Sequence, residues 1–164
     1  MHFAAAALLA FVVLAAPCHA QRPGGMLDPS VLPERPTHSA GLRADALLAD
    51  RQLLQLGLEG TRVLGRSVRL SLVAAGGVAL GGDETRGSAR GELTARFLFD
   101  PDGRHRWGLY AGGGAGTLYN GDRWDAILSL AVGVEKGRPA VPGAHPFFEI
   151  GLGGGARIAV GVRW

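Results

Sequence analysis

Cysteine is almost missing from this chain: of 164 residues, only Cys18 is one. It lies in the opening stretch MHFAAAALLAFVVLAAPCHA, residues 1–20, which reads as a secretory signal. Cys18-His19-Ala20 supplies a small-x-Ala cleavage site ahead of Gln21. Loss of Cys18 with the signal removes disulfides, Cys-based metal sites and thiol nucleophiles together, and leaves an exported chain no thiol to mispair. Lipidation of Cys18 is the rival reading, but Pro17 stands where a lipobox carries a small residue. Long apolar runs are also lacking: Phe3 to Ala16 is too short for a transmembrane helix, which needs about 20 residues. The n-region has no Lys or Arg, only His2.

The basic residues form no stripe. Net charge is +3, with the cations scattered singly, a poor footprint for nucleic acid and poorer still after export. Past residue 20 the histidines are His38, His105 and His145, and no serine joins His105 on its face, so no nucleophile–base pair and no catalytic residue is expected. Asp100 and Asp102 in DPDG read as a tight turn, since the other ligands of a calcium loop are absent; no metal is expected.

Glycine, by contrast, is abundant, with 27 residues, and the ending GLGGGARIAVGVRW contains the G-x-G-x-x-G/A pattern of a dinucleotide-binding turn. That turn needs a following helix and an acidic residue about 20 positions on, and the residues that follow alternate as a strand. The pattern is therefore read as a coincidence within a glycine-rich strand, and no cofactor is expected.

Residues 21–50 open with a proline-rich stretch, RPGGMLDPSVLPERPTH, and form a periplasmic arm or linker. Within it, SAGLRADALLAD fits a short helix by composition or a weak strand by the alternation of Ala40, Leu42, Ala44, Ala46 and Leu48. From Arg51 to Trp164, apolar and polar or tiny residues alternate at period two, segment after segment, with turn chemistry such as GGDETRG, DPDG and NGD between them. Leu54, Leu56 and Leu58 oppose Gln55, Gly57 and Glu59; Leu93, Ala95, Phe97 and Phe99 oppose Glu92, Thr94 and Arg96. No helical period sorts residues this way.

Alternation allows a soluble barrel or sandwich with its apolar face inside, or a membrane barrel with that face in lipid. Glycines 57, 108, 112, 114, 116, 133, 151, 153 and 161 share the charged face. A strand glycine on a wet surface costs about 0.5–1 kcal/mol against alanine with no gain, whereas in a narrow lumen it leaves room for long Arg and Glu side chains. The aromatics lie on the apolar face. With residues 51–60 running outward, Phe97, Phe99, Trp107 and Phe148 group at the outer end and Tyr119, Trp124 and Trp164 at the inner end, as two interfacial girdles. Trp107 to Tyr119 spans roughly 30 Å at a tilt near 40°, close to the hydrocarbon thickness.

Cleaved signal, tight turns, alternating strands and a last strand ending in an aromatic, RIAVGVRW, together make residues 51–164 similar to small outer-membrane β-barrel proteins. The resemblance implies an all-β, antiparallel up-and-down barrel in the outer membrane, non-enzymatic, with lipid as its surroundings. It also casts Phe148 to Trp164 as the signal read by the barrel-insertion machinery. Six strands stand out, whereas such barrels usually begin at eight. A strand over Ser39 to Ala49 with a split at Gly153 to Gly155, a barrel shared in a homo-oligomer, or a soluble six-stranded barrel each accounts for the shortfall. The split halves look too short for the nine to eleven residues a spanning strand needs. The candidate site is the interior charge set Glu59, Arg69, Glu92, Arg96, Glu135, Glu149 and Arg157, read as a structural salt-bridge network or a narrow solute path. The main alternative is a soluble periplasmic barrel or sandwich holding an apolar ligand.

Overall fold

A computed structural model describes residues 38–81, 84–101, 105–136 and 143–164. The expected signal segment, residues 1–20, lies outside the described residues. Eight strands follow in chain order: β1 His38–Leu48, β2 Gln52–Val63, β3 Val68–Leu80, β4 Arg86–Leu98, β5 Trp107–Tyr119, β6 Trp124–Lys136, β7 His145–Leu152 and β8 Ala156–Arg163. Each pairs antiparallel with the next, and β1 pairs β8 from Gly41↔Arg163 to Leu48↔Ala156, so one chain closes an up-and-down barrel. Two backbone hydrogen bonds between Ala40 and Trp164 extend the seam to the rim.

Two boundaries differ from those read in the sequence. The barrel begins at His38, not Arg51, because the segment with two possible periods is a strand. Its outward residues are Ala40, Leu42, Ala44, Ala46 and Leu48, and Arg43, Asp45 and Leu47 are buried inside. Helical spacing would have scattered Arg43 and Asp45 toward the apolar side. The final stretch, meanwhile, is two strands of 8 residues each rather than one, joined by a hairpin turn at 153–155. Gly154 and Gly155 have φ of +74° and +146°, and Gly153 N–H donates to Gly155 O at 2.9 Å. The G-x-G-x-x-G/A pattern is thus strand, turn and strand: Gly151 lies in β7, and the left-handed residues of the turn, Gly154 and Gly155, stand at the pattern's variable positions.

The β6–β7 register stops at Leu130↔Leu152 while β6 begins at Trp124, so the short hairpin recesses the wall on that side. The turn fills part of the gap. A Cβ on Gly154 would meet Leu118 and Ile127, and one on Gly155 would meet the Leu48 carbonyl, so the turn leans over the end of the lumen.

The rim carrying His38 and Trp164 is the terminal rim; the connectors 49–51, 81–85, 120–123 and 153–155 lie at the far rim. Among the described residues twenty-three large apolar side chains are exposed against nine buried apolar residues. A water-soluble domain hides such residues, so the outward apolar surface is far larger than a patch left over from folding. The soluble alternative required apolar residues within, and the pleat has turned that face outward.

Candidate functional site

The lumen has two zones. At the far rim Leu47, Leu53, Ala79, Leu118 and Ile127 form an apolar plug. From there to the terminal rim lie, among the described residues, eleven buried charges: Arg43, Arg69, Arg90, Arg96, Arg157 and Arg163 with Asp45, Glu59, Glu92, Glu135 and Glu149. Their strands hold them there by parity alone, since alternate side chains of a closed sheet point inward.

Glu149 of β7 is the hub. It accepts from Arg43 at 3.1 Å, Arg96 at 3.0 Å and Arg157 at 2.8 Å, and from the Tyr110 hydroxyl at 3.1 Å. Glu59 of β2 faces Arg96, Arg163 at 3.3 Å and Arg43 at 3.6 Å. Arg157 continues to Glu92 at 2.6 Å, and Arg43 donates two bonds to Asp45 at 2.7 and 2.9 Å. Nearer the terminal rim, Glu135 takes Arg69 at 2.7 Å and Arg163. Most of these carboxylates are shared by more than one guanidinium, so removal of one member strands several others in a low-dielectric interior.

Two inward aromatics support the guanidinium planes. Arg163 lies 3.8 Å from the Phe147 ring centroid, while Arg96 and Arg163 stand 5.3 and 5.5 Å from that of Tyr110. Each ring covers a glycine on the next strand: a Cβ on Gly133 would strike the Tyr110 ring, and one on Gly161 the Phe147 ring. Gly112, Gly114 and Gly116 of β5 face the β4 backbone so closely that a Cβ would meet the carbonyls of Ala95, Leu93 and Gly91. Their absence of side chain lets neighbouring strands coil tightly, a role beyond the lumen space expected from the sequence.

The seven charges read from the sequence, Glu59, Arg69, Glu92, Arg96, Glu135, Glu149 and Arg157, all lie in the lumen. The sequence reading missed Arg43, Asp45, Arg90, Arg163 and Tyr110. Arg90 and Arg163 had the right parity to be found, whereas Arg43 and Asp45 lay in the segment of undecided period. The girdle residues all sit outside, with Phe97, Phe99, Trp107 and Phe148 near the terminal rim and Tyr119 and Trp124 at the far rim. Trp164 is the exception to the expected grouping: splitting the last stretch turns the chain back, which puts Trp164 beside Ala40 on the terminal rim. His105 is exposed in the β4–β5 connector, where its backbone N–H donates to Asp100 at 2.8 Å. Among the described residues no group of three His, Cys, Asp or Glu is placed to hold a metal ion.

Fold and site together define a closed eight-stranded antiparallel barrel, apolar outside and ion-paired within. No family model matches the chain. No curated protein matches it either. Among solved structures it is similar to the N-terminal β-barrel domain of Pseudomonas aeruginosa OprF, at 16% identity and a TM-score of 0.48, covering 77% of this chain and 97% of that one.

Proposed function

We propose that this protein is an outer-membrane β-barrel whose task is structural or that of a narrow solute path, with no catalytic chemistry. The observation that carries this reading is the inversion of faces, apolar residues outward and charges inward. Lipid is the solvent in which that inversion is stable, because outward leucines cost nothing there and inward charges are paired. Strands β1 to β6 have 11 to 13 residues, enough to span, and the aromatics mark both interfaces. The paired lumen and apolar plug leave no wide channel, as expected of a barrel of eight strands. β8 with Trp164 serves as the segment that the insertion machinery reads.

The test is extraction of the expressed protein from cell envelopes, followed by detergent electrophoresis with and without boiling. Retention in alkali-washed membranes and a different mobility when unboiled are expected. Recovery in the soluble periplasmic extract with unchanged mobility overturns the reading.

A further inference from the structure

Charge in the lumen does not balance. Among the described residues six buried arginines face five buried carboxylates, leaving one positive charge in excess. A net charge in such an interior is costly, which favours a further counter-charge. Hydrogen bonding points to where it belongs. Of the six guanidinium groups, Arg90 alone has Nε, Nη1 and Nη2 all buried without a hydrogen bond among the described residues; Arg69, Arg157 and Arg163 lack one only at Nε. Asp45 Oδ2 lies 2.8 Å from Arg90 Nη2 without hydrogen-bond alignment, and Glu92 is 3.7 Å from Nη1. Asp45 is already committed to Arg43 through both its oxygens, and Glu92 to Arg157. Arg90 thus shares carboxylates that other arginines hold in better geometry.

The surroundings are polar and small. On β4, Arg90 is flanked on its own face by Ser88 and Glu92. Gln55 pairs in register with Asp45 and donates to Ser88 Oγ at 3.2 Å. Arg90's register partners are Ala75 on β3 and Leu118 on β5, the latter a member of the apolar plug, and Ser88's partner on β3 is Gly77.

We propose that Arg90 is the floor of a buried site for a small monovalent anion of the halide class, held between β2, β4 and the apolar plug. The anion accepts the free guanidinium N–H bonds and cancels the excess charge, which closes the lumen electrostatically as the plug closes it sterically. Bound at this depth, it acts as part of the fold, and its exchange requires transient opening of the far rim.

The experiment uses the full chain folded in detergent micelles, with its unfolding temperature read by loss of the unboiled electrophoretic form. Sodium gluconate is replaced stepwise by sodium bromide at constant ionic strength. A saturable rise of about 5 °C is expected, the size that a ligand far above its dissociation constant gives a small domain. Two variants locate the site. Arg90→Gln removes the excess charge and abolishes the rise. Gln55→Glu, nearly isosteric, adds the sixth carboxylate beside Asp45, and is expected to be as stable in gluconate as the parent is in bromide, with no further response. A parent that does not respond, or a response of equal size in Gln55→Glu, overturns the proposal, the first result assigning the Arg90 donors to water and the second placing the effect elsewhere. Should Arg90→Gln fail to fold, Gln55→Glu alone decides.

Discussion

At the scale of single residues, the lumen separates groups that hold others from groups that merely sit inside. Glu149 binds three arginines and Tyr110, so Glu149→Gln leaves guanidinium groups without their counter-charge. The expected loss is about 3–5 kcal/mol, measured as a lower urea midpoint for unfolding in detergent. Glu84→Gln at the exposed far rim, paired among the described residues only with Arg86 at 3.7 Å, should leave the midpoint where it is. Equal effects from the two would mean that the lattice does not hold the barrel. Gly114→Leu probes packing instead of charge, because even its Cβ meets the Leu93 carbonyl and Thr94 Cα. This variant should fail to yield the compact unboiled form.

Depth in the membrane and turn geometry belong to the elements. Leu130 of β6 is 66% exposed at the middle of its strand, so on the proposed membrane reading Leu130→Arg would place a charge in the hydrocarbon and should cost about 2–4 kcal/mol. Leu64→Arg, in the connector 64–67 at the terminal rim, should cost about 0–1 kcal/mol. Midpoints that fall equally would remove the case for a lipid belt. The β7–β8 turn is tested by Gly154→Val, which forces a branched side chain into a left-handed backbone against Leu118. Gly87→Val serves as its control, since a Cβ there has nothing within 4 Å. Refolding yield should collapse for the first and hold for the second, and a similar yield for both would show that the turn does not set the strand count.

At the scale of the whole molecule, the question is which rim faces outward. Both chain ends of the barrel share the terminal rim. On the proposed outer-membrane reading, insertion from the periplasm would keep that rim inside, and β2 would run inward, opposite to the direction expected from the sequence. The terminal rim also carries the longer connectors, 99–106 and 137–144, although outer-membrane barrels usually put their longer loops outside. On the same proposal insertion is expected to outweigh that tendency, because the opposite orientation would carry Arg22, Asp28, Glu34 and Arg35 of the sequence across the membrane. In intact cells, Glu84→Cys should react with a membrane-impermeant maleimide, and Arg106→Cys only after the envelope is opened. The reverse pattern would turn the barrel over.

Much of this protein was written into its period. Because strand side chains alternate strictly, Leu54, Leu56 and Leu58 could be assigned to one face and Glu59, Glu92 and Glu149 to the other without knowing how any strand paired. Strand number was not legible, for two local reasons. Residues 39–48 are poor in β-branched residues and rich in Ala and Leu, so propensity argued against a strand that closure of the barrel demanded. Near the chain's end, glycines at 151, 153, 154 and 155 blur strand into turn, and only backbone dihedrals distinguish them. Those two choices moved Trp164 to the other rim and brought Arg43 and Asp45 into the lumen. The sequence by itself determined which face of strands β2 to β8 is apolar, since that is a local property of alternation. Which charges meet, which guanidinium shares its carboxylates with better-placed arginines and which rim holds both ends depend on register and closure, and only the tertiary structure decided them.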